Sequence, residues 1–262
     1  MIFFQHSSEH FSKNSAFSII HTNKGTALHW HNAVEFMFIV NGGLHVTLNG
    51  EEYLAEQGDL VTINSSVVHS AKPTQQGLDY YILIANDEFF KSNGLYGENT
   101  FFSPIVNSQK IKDIFGDIIN EFECEDRFKQ ASITAKTLSL FIHLNRCHAL
   151  NQNAQQAVCD KKITAVRKTL DYINSNYKNK ISVDQIAKEI SFSKSYLSHV
   201  FKSVTRHSLV DYINLIRCQS AKTLILNGYS IKQASSECGF SDVSYFTRIF
   251  KKVTGDLPSN IK

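Results

Sequence analysis

A chain of 262 residues with 42% hydrophobic and 19% charged residues has the length and composition of a soluble protein with two domains. No apolar run approaches the roughly 18 residues that a membrane span needs, and the N-terminus lacks the basic and apolar regions of a signal peptide. The five cysteines are scattered without a CxxC pair, which argues against a zinc or disulfide framework and favours reduced thiols. We therefore expect a cytoplasmic protein with no membrane partner.

Charge is distributed unevenly along the chain. Residues 161–262 carry 17 basic and 7 acidic residues, a net charge of +10. The preceding residues carry 10 basic and 17 acidic residues, a net charge of −7. A basic C-terminal part beside an acidic N-terminal part is typical of a protein whose C-terminal domain binds a polyanion.

Residues 1–104 are predicted to form a β-rich domain. Short apolar or alternating segments are separated by Gly and Asn, and Asn49-Gly50 is typical of a type I′ hairpin turn. The predicted strands are Glu35–Val40, Leu44–Leu48, Glu51–Ala55, Leu60–Ile63 and Tyr80–Ala85. Many short strands joined by such turns favour a sandwich or a small barrel.

A set of polar residues with a regular spacing lies in this β-rich region. The pattern HxHx3Ex6G and a later Gx10H are formed by His29, His31, Glu35, Gly42, Gly58 and His69. This spacing resembles that of the cupin barrels, in whose metal-binding members the two His, the Glu and the later His ligate one metal. The second motif departs from that family, because Asn64 and Ser66 stand where Pro and Gly are usual.

The physical meaning of this pattern depends on where the side chains point. Residues 29, 31 and 35 share parity, so an extended strand would aim all three at one face. If that face is the interior, imidazoles and a carboxylate converge in a pocket suited to a polar ligand or a divalent metal. We favour an effector pocket without metal at His29, His31, Glu35 and His69; a metal site there, or ordinary histidines, are the alternatives. No acid–base or nucleophile set accompanies these residues, so we expect neither enzymatic activity nor a cofactor.

Residues 105–162 are predicted to be a helical segment followed by a linker. Apolar residues recur at helical spacing between Ser108–Glu123 and between Arg127–Cys147. These helices could cover the outside of the barrel or pair with a second subunit. The polar Asn151–Gln156 has no periodicity and is predicted to be the interdomain linker.

Residues 163–262 contain an internal repeat. Residues 182–193 (SVDQIAKEISFS) align with 230–241 (SIKQASSECGFS), and each copy opens with a predicted capping box. After one extra residue in the second copy, Tyr196–Thr205 aligns with Tyr245–Thr254. Each copy therefore predicts a helix-turn-helix, and we expect Ser241 to cap the second helix of the second copy. The helix predicted between the copies, about 27 Å long, could separate the two units by about one turn of DNA.

The C-terminal hundred residues resemble the AraC/XylS regulators, most specifically in the run GFSDVSYFTRIFKK that begins at Gly239. The usual N-terminal partner in that family is a cupin-like effector domain. The resemblance implies an α+β multidomain protein, with a cupin-like β-barrel, a helical linker and an all-α domain of two helix-turn-helix motifs. It also implies a transcription activator that binds double-stranded promoter DNA, commonly as a homodimer, responds to a small-molecule effector such as a sugar, and works with RNA polymerase.

The same resemblance assigns DNA-contacting residues by position. The expected DNA-binding residues are Ser195, Ser198, His199, Lys202, Ser244, Thr247, Arg248 and Lys251. Arg248 can pair bidentately with guanine, whereas His199, its counterpart in the first copy, makes one base contact, so the first unit is expected to read more weakly. Lys194, Lys202, Lys251 and Lys252 are expected to touch phosphates. A metal-dependent cupin enzyme fused to a DNA-binding domain, or a repeat that binds another protein, are the rival hypotheses.

Overall fold

A computed structural model describes residues 17–74, 76–95, 101–150 and 161–261, and the chain divides into two compact units, residues 1–160 and 161–262. The linker predicted at Asn151–Gln156 lies outside the described residues. No helix in the described ranges is both long enough and apolar enough to cross a bilayer.

The first unit is built on antiparallel strands. These are β1 (Phe17–Thr22), β2 (Thr26–His29), β3 (Val34–Asn41), β4 (Gly43–Leu48), β5 (Glu51–Glu56), β6 (Leu60–Ile63), β7 (His69–Pro73), β8 (Asp79–Ala85), β9 (Phe101–Phe102), β10 (Ile105–Val106) and β11 (Ala149–Leu150). One sheet has the order β1-β8-β3-β6-β10, a second has the order β2-β7-β4-β5, and β9 pairs with β11. The predicted β-rich domain is confirmed, and at the Asn49-Gly50 turn both residues have the positive φ that a type I′ hairpin requires.

Side-chain alternation along β3 divides the first unit into two cores. Met37 and Ile39 point into the core between the two sheets, where they pack with residues of β4, β5 and β7. Phe36 and Phe38 point to the opposite face, where they pack against helices. Successive strand residues face opposite sides, so Glu35 shares the inner face with Met37 and Ile39. The sheet is buried on both faces, which explains why its central strands are almost continuously apolar.

Among the described residues of this unit, three helices accompany the sheets: α1 (Asp87–Ser92), α2 (Gln109–Glu123) and α3 (Lys129–Cys147). The apolar faces of α2 and α3 cover the outer face of the five-stranded sheet. The second helix begins two residues later than the sequence indicates, at Lys129 rather than Arg127. The carboxylate of Asp126 accepts a hydrogen bond from the N–H of Phe128, which holds residues 126–128 in a turn.

The second unit is entirely helical. It consists of α4 (Lys161–Asn176), α5 (Val183–Glu189), α6 (Lys194–Thr205), α7 (Leu209–Leu226), α8 (Ile231–Glu237), α9 (Val243–Thr254) and a 3₁₀ turn at Pro258–Asn260. The pairs α5–α6 and α8–α9 are the two predicted helix-turn-helix units, joined by α7. Both predicted capping boxes form, at Ser182 with Gln185 and at Ser230 with Gln233.

The predicted cap of α9 is wrong. Asp242, not Ser241, is the N-cap, and its carboxylate accepts from the N–H of Tyr245. In the first copy of the repeat Ser193 caps α6 by accepting from the N–H of Tyr196. A capping side chain reaches an N–H three residues ahead, so the extra residue of the second copy moves the cap one position along the chain.

Substitution of Phe250 would test the packing of the core in the second unit. It is fully buried on α9 and packs edge-on against Phe246, with ring centroids 5.3 Å apart. Truncation to Ala should lower the free energy of unfolding of this unit by about 3–5 kcal/mol. Urea denaturation of the full chain, with hydrogen exchange to resolve residues 161–261, measures the loss. Val243→Ala on the same helix is the control, because Val243 is 40% exposed and should change stability by less than about 0.5 kcal/mol. Equal stability of both variants would contradict the packing.

Candidate functional site

The second helix of each helix-turn-helix unit carries its predicted DNA-binding residues on the solvent face. On α6 the buried residues Leu197, Val200 and Phe201 face the core. On α9 the core is reached by Phe246 and Phe250. Of the eight predicted residues, Ser195, Ser198, His199, Lys202, Ser244, Arg248 and Lys251 are exposed and Thr247 is half-buried. The predicted residues thus form one exposed row on α6 and one on α9. Each row is accessible to a DNA groove, as the prediction requires.

Arg248 is held by contacts that the sequence does not reveal. Its guanidinium lies over the ring of Tyr245, 5.5 Å from the ring centroid. The Tyr245 hydroxyl in turn accepts a hydrogen bond of 3.1 Å from the side-chain amide of Asn214, a buried residue on α7. A cation–π contact at an exposed site contributes about 0.5–1 kcal/mol, enough to narrow the rotamers of a long side chain. The central helix thus orients the arginine expected to read guanine.

The remaining polar groups of the two rows differ in what they can offer. The Thr247 hydroxyl donates to the carbonyl of Val243, which leaves its oxygen and methyl group for an outside partner. Lys194 pairs with Asp184 at 2.8 Å and Lys252 with Asp211 at 3.7 Å. Such exposed pairs contribute little and are readily exchanged for a phosphate. In the described part of the chain Lys202 and Lys251 form no ion pair.

In the first unit, the four residues predicted from their spacing come together. His29 at the end of β2 pairs with His69 at the start of β7, while Glu35 reaches them from β3. One ligand atom of each of His29, His31, Glu35 and His69 lies within 4.8 Å of the others. His31, Glu35 and His69 are buried residues, and the Nε2 atom of His29 is also shielded from solvent.

Backbone carbonyls fix the orientation of all three imidazoles. The Nδ1 atoms of His29, His31 and His69 lie 2.8, 3.1 and 2.8 Å from the carbonyl oxygens of Ala27, Ala33 and Val67. Because a carbonyl only accepts, each Nδ1 donates to it and the Nε2 atom points into the cluster, where it donates to Glu35 if it is protonated and offers a lone pair to a cation if it is not. Ligating histidines are commonly held in this way, with the second nitrogen donating to a carbonyl.

The protonation states of the cluster also suit a cation. Burial by itself raises the pKa of Glu35, but hydrogen bonds from His31 at 2.8 Å and from His69 outweigh it and hold that pKa well below its usual range. Burial, reinforced by His69 and His31, lowers the pKa of His29 well below its usual value. An ionised carboxylate is the form that binds a metal, and a cation would replace the Nε2 proton through which a histidine of the cluster donates to Glu35.

The residues present therefore fit a divalent metal ion. Oxygen Oε1 of Glu35 is buried and has no hydrogen-bond partner among the described residues. Ligand atoms around one ion are at most about 4 Å apart, because each bond is about 2.1 Å long. A separation of up to 4.8 Å needs only a small contraction. A cation at the centre would bind Oε1 of Glu35 and the inward Nε2 atoms together.

The two positions that depart from the cupin pattern support this cluster. Asn64 brackets the backbone of Phe102, since its Oδ1 accepts from the N–H at 2.9 Å and its Nδ2 donates to the carbonyl at 3.2 Å. Ser66 has a positive φ of 66°, and its N–H donates to the carbonyl of His31. Together they hold the loop that leads into His69. The sequence marks both positions as unusual, but it gives no sign of their partners.

Two exposed helix rows in a helical unit, preceded in the chain by a β-rich unit with a buried polar cluster, define a DNA-binding protein with a ligand-binding domain. Comparison with known families agrees. An AraC-like ligand binding domain model matches residues 15–141, and a helix-turn-helix domain model matches residues 186–262. The chain belongs to the AraC family of transcriptional regulators, which bind DNA and carry an N-terminal ligand-binding domain.

Individual relatives span most of the chain. An uncharacterized HTH-type transcriptional regulator of Bacillus subtilis, YdeC, is 24% identical over 251 residues, which cover 90% of this chain and 85% of that protein. The arabinose operon regulatory protein of Escherichia coli is 25% identical over 223 residues, or 81% and 74% of the two chains. An apo ToxT variant from Vibrio cholerae shares the fold with a TM-score of 0.54 and 15% identity, over 94% of this chain and 96% of that one.

Replacement of Arg248 by Ala should relax specificity at one base pair. A bidentate arginine–guanine contact discriminates by about 1–3 kcal/mol, so the preference at that position should fall by about 5- to 150-fold. Affinities for a set of single-base operator variants measure this loss. Lys251→Ala, one turn further along the same face, is the matched control: it should weaken all sequences equally and reduce the salt slope by about 1. A uniform loss in Arg248→Ala would assign Arg248 to phosphate contact.

Proposed function

We propose that the protein is a dimeric transcription activator of the cytoplasm whose DNA binding is switched by a ligand held at His29, His31, Glu35 and His69. The buried, mutually oriented set of these four residues carries the proposal, because such a set is costly to fold unless a ligand satisfies it. The α6 and α9 rows supply the DNA contacts. Dimer formation and the approach of RNA polymerase follow from the resemblance to activators of the family.

A chain of backbone contacts supports a route from this ligand to the connection between the units. Ile63 pairs with Glu35, and the next residue, Asn64, brackets Phe102. Phe102 pairs with Ala149 in β11, which ends at residue 150, while the second unit begins at residue 161. A ligand that binds one arrangement of this path better than another shifts the population, and the shift reaches the DNA-binding unit through the chain.

Two kinds of ligand are consistent with the cluster. The resemblance to the family favours a small organic effector, such as a sugar, that exchanges hydrogen bonds with the imidazoles and the carboxylate. The compact arrangement and the unpartnered Oε1 of Glu35 favour a divalent transition-metal ion. In either case we take the ligand to be a signal, since no further acid–base set accompanies the four residues in the described ranges.

Replacing both His31 and Glu35 with Ala should abolish the effector response and leave DNA affinity unchanged. The response is measured as the change in promoter-DNA affinity on adding each of a panel of sugars and of Mn²⁺, Fe²⁺, Co²⁺ and Zn²⁺. His21→Ala is the control, because His21 lies at the surface and bonds to Asp79 outside the cluster. A double variant that still responds would place the ligand elsewhere.

Metal analysis of the purified protein separates the two ligands. If the cluster binds a metal, about one equivalent of Zn, Mn or Fe per chain should accompany the wild type and disappear in His69→Ala. A metal-free wild type that responds to a sugar supports the organic effector. A metal-loaded protein that turns over a small molecule without any change in DNA binding would support the rival hypothesis of an enzyme.

A further inference from the structure

The two helix-turn-helix units meet at a contact outside the helix that joins them. The connection 177–179, between α4 and α5, leads into the first helix-turn-helix and lies against the turn at Gly239 and Phe240 of the second helix-turn-helix. A Cβ on Gly239 would lie 2.6 Å from the carbonyl oxygen of Lys178 and 2.8 Å from that of Tyr177. Backbone therefore packs directly on backbone. We refer to this contact, residues 177–179 with 239–240, as the junction.

Arg217 of the central helix α7 closes the junction. Its Nε donates to the carbonyl of Tyr177 and its Nη2 to the carbonyl of Asn179, each at 2.8 Å. The same guanidinium lies over the ring of Phe240, 5.6 Å from the centroid. One planar group thus contacts the segment that leads into the first helix-turn-helix through two hydrogen bonds, and the second helix-turn-helix through a ring face. Lysine, with a single ammonium, cannot reproduce this fork.

Comparison of the two copies shows that the glycine serves the junction and not only the turn. Ser191 occupies the position in the first copy that Gly239 occupies in the second, and both have a positive φ, 62° and 82°. The left-handed conformation alone therefore tolerates a side chain in this turn. What excludes a side chain at Gly239 is the backbone of residues 177–178.

We propose that Arg217 and Gly239 are positioning residues that fix the spacing between α6 and α9, the helices that carry the expected base contacts, so that one chain binds two half-sites at a single allowed separation. Helix α7 alone is one connection, with a turn at each end about which the units could rotate. The junction adds a second connection, which prevents the two helix-turn-helix units from rotating about the ends of α7. Rigid linkage of two binding modules makes the second contact intramolecular, but only at the matching geometry. This inference rests on DNA binding and not on the ligand cluster.

The first test uses Gly239→Ala in the full chain. Operators are selected in vitro with the wild type, and 1 to 5 bp are then inserted between the half-sites, which rotates one half-site around the duplex. Wild-type affinity should fall on the order of 10²-fold at the 5-bp insertion. Gly239→Ala should bind the original operator about 10-fold more weakly and vary less than about 3-fold across the series, with single half-site affinity unchanged.

Gly228→Ala is the matched control. Gly228 follows α7 and has a φ of 88°, close to that of Gly239, but a Cβ there would meet nothing within 4 Å. The two substitutions carry the same backbone strain and differ in whether they press on residues 177–178. Gly228→Ala should keep the wild-type dependence on spacing.

Arg217→Lys provides a second, milder variant that keeps the charge. It should relax the spacing dependence in the same direction, while Lys222→Ala, an exposed change on the same helix, should not. If Gly239→Ala and Arg217→Lys keep the wild-type spacing dependence, α7 alone fixes the geometry and the proposal is wrong. If they lose affinity for single half-sites as much as for the full operator, the junction is a folding contact and the proposal is equally overturned.

Discussion

Alternation of side chains along β3 is the constraint from which the first unit follows. Its even-numbered residues face the helices and its odd-numbered residues face the space between the sheets, so one register sends Phe36 outward and Glu35 inward. A shift of one residue would exchange the two sets and place a carboxylate against α2 and α3. The apolar core therefore fixes the polar site, because the same pairing with β6 and β8 determines both.

A carboxylate at this position is costly, and its surroundings show how the cost is met. Glu35 is inaccessible to solvent, and burying an unpaired charge would oppose folding by several kcal/mol. His31 and His69 offset part of that cost. Replacing such a group with an apolar residue of similar size is often neutral or stabilising, so packing alone does not explain its presence. A ligand that binds the folded state supplies the missing free energy by mass action.

The sequence predicts features that depend on local pattern and misses those that depend on backbone partners. Strand alternation, the Asn49-Gly50 hairpin and both capping boxes are local, and all are confirmed. The grouping of His29, His31, Glu35 and His69 agrees with the spacing that resembles the cupins. The parity argument behind it is wrong, because His29 ends β2, Glu35 lies on β3 in the other sheet, and His31 lies in the connection between them. The contacts of Arg217, Asn64 and Asn214 join residues 31 to 40 positions apart. Most of them lead to backbone carbonyls, which every residue offers, so the sequence does not reveal the partner. The cap at Ser241 fails because one added residue changes which side chain reaches the first turn.

The same contacts explain why two copies of one motif have diverged. In the first copy Tyr196 stacks on Phe192, its neighbour in the same unit, with ring centroids 5.3 Å apart. In the second copy Tyr245 is held by Asn214 of α7 and carries Arg248 on its ring. Helix α9 is thus connected to α7 through Tyr245, which lies beside the expected DNA-contacting residues, as well as through the turn at Gly239. A side chain that makes a bidentate base contact gains more from such fixation than one that makes a single contact, because both bonds require one orientation. The second copy, in which α7 helps to hold the side chain in place, has arginine at position 248, and the first copy, which lacks that contact among the described residues, has histidine at position 199.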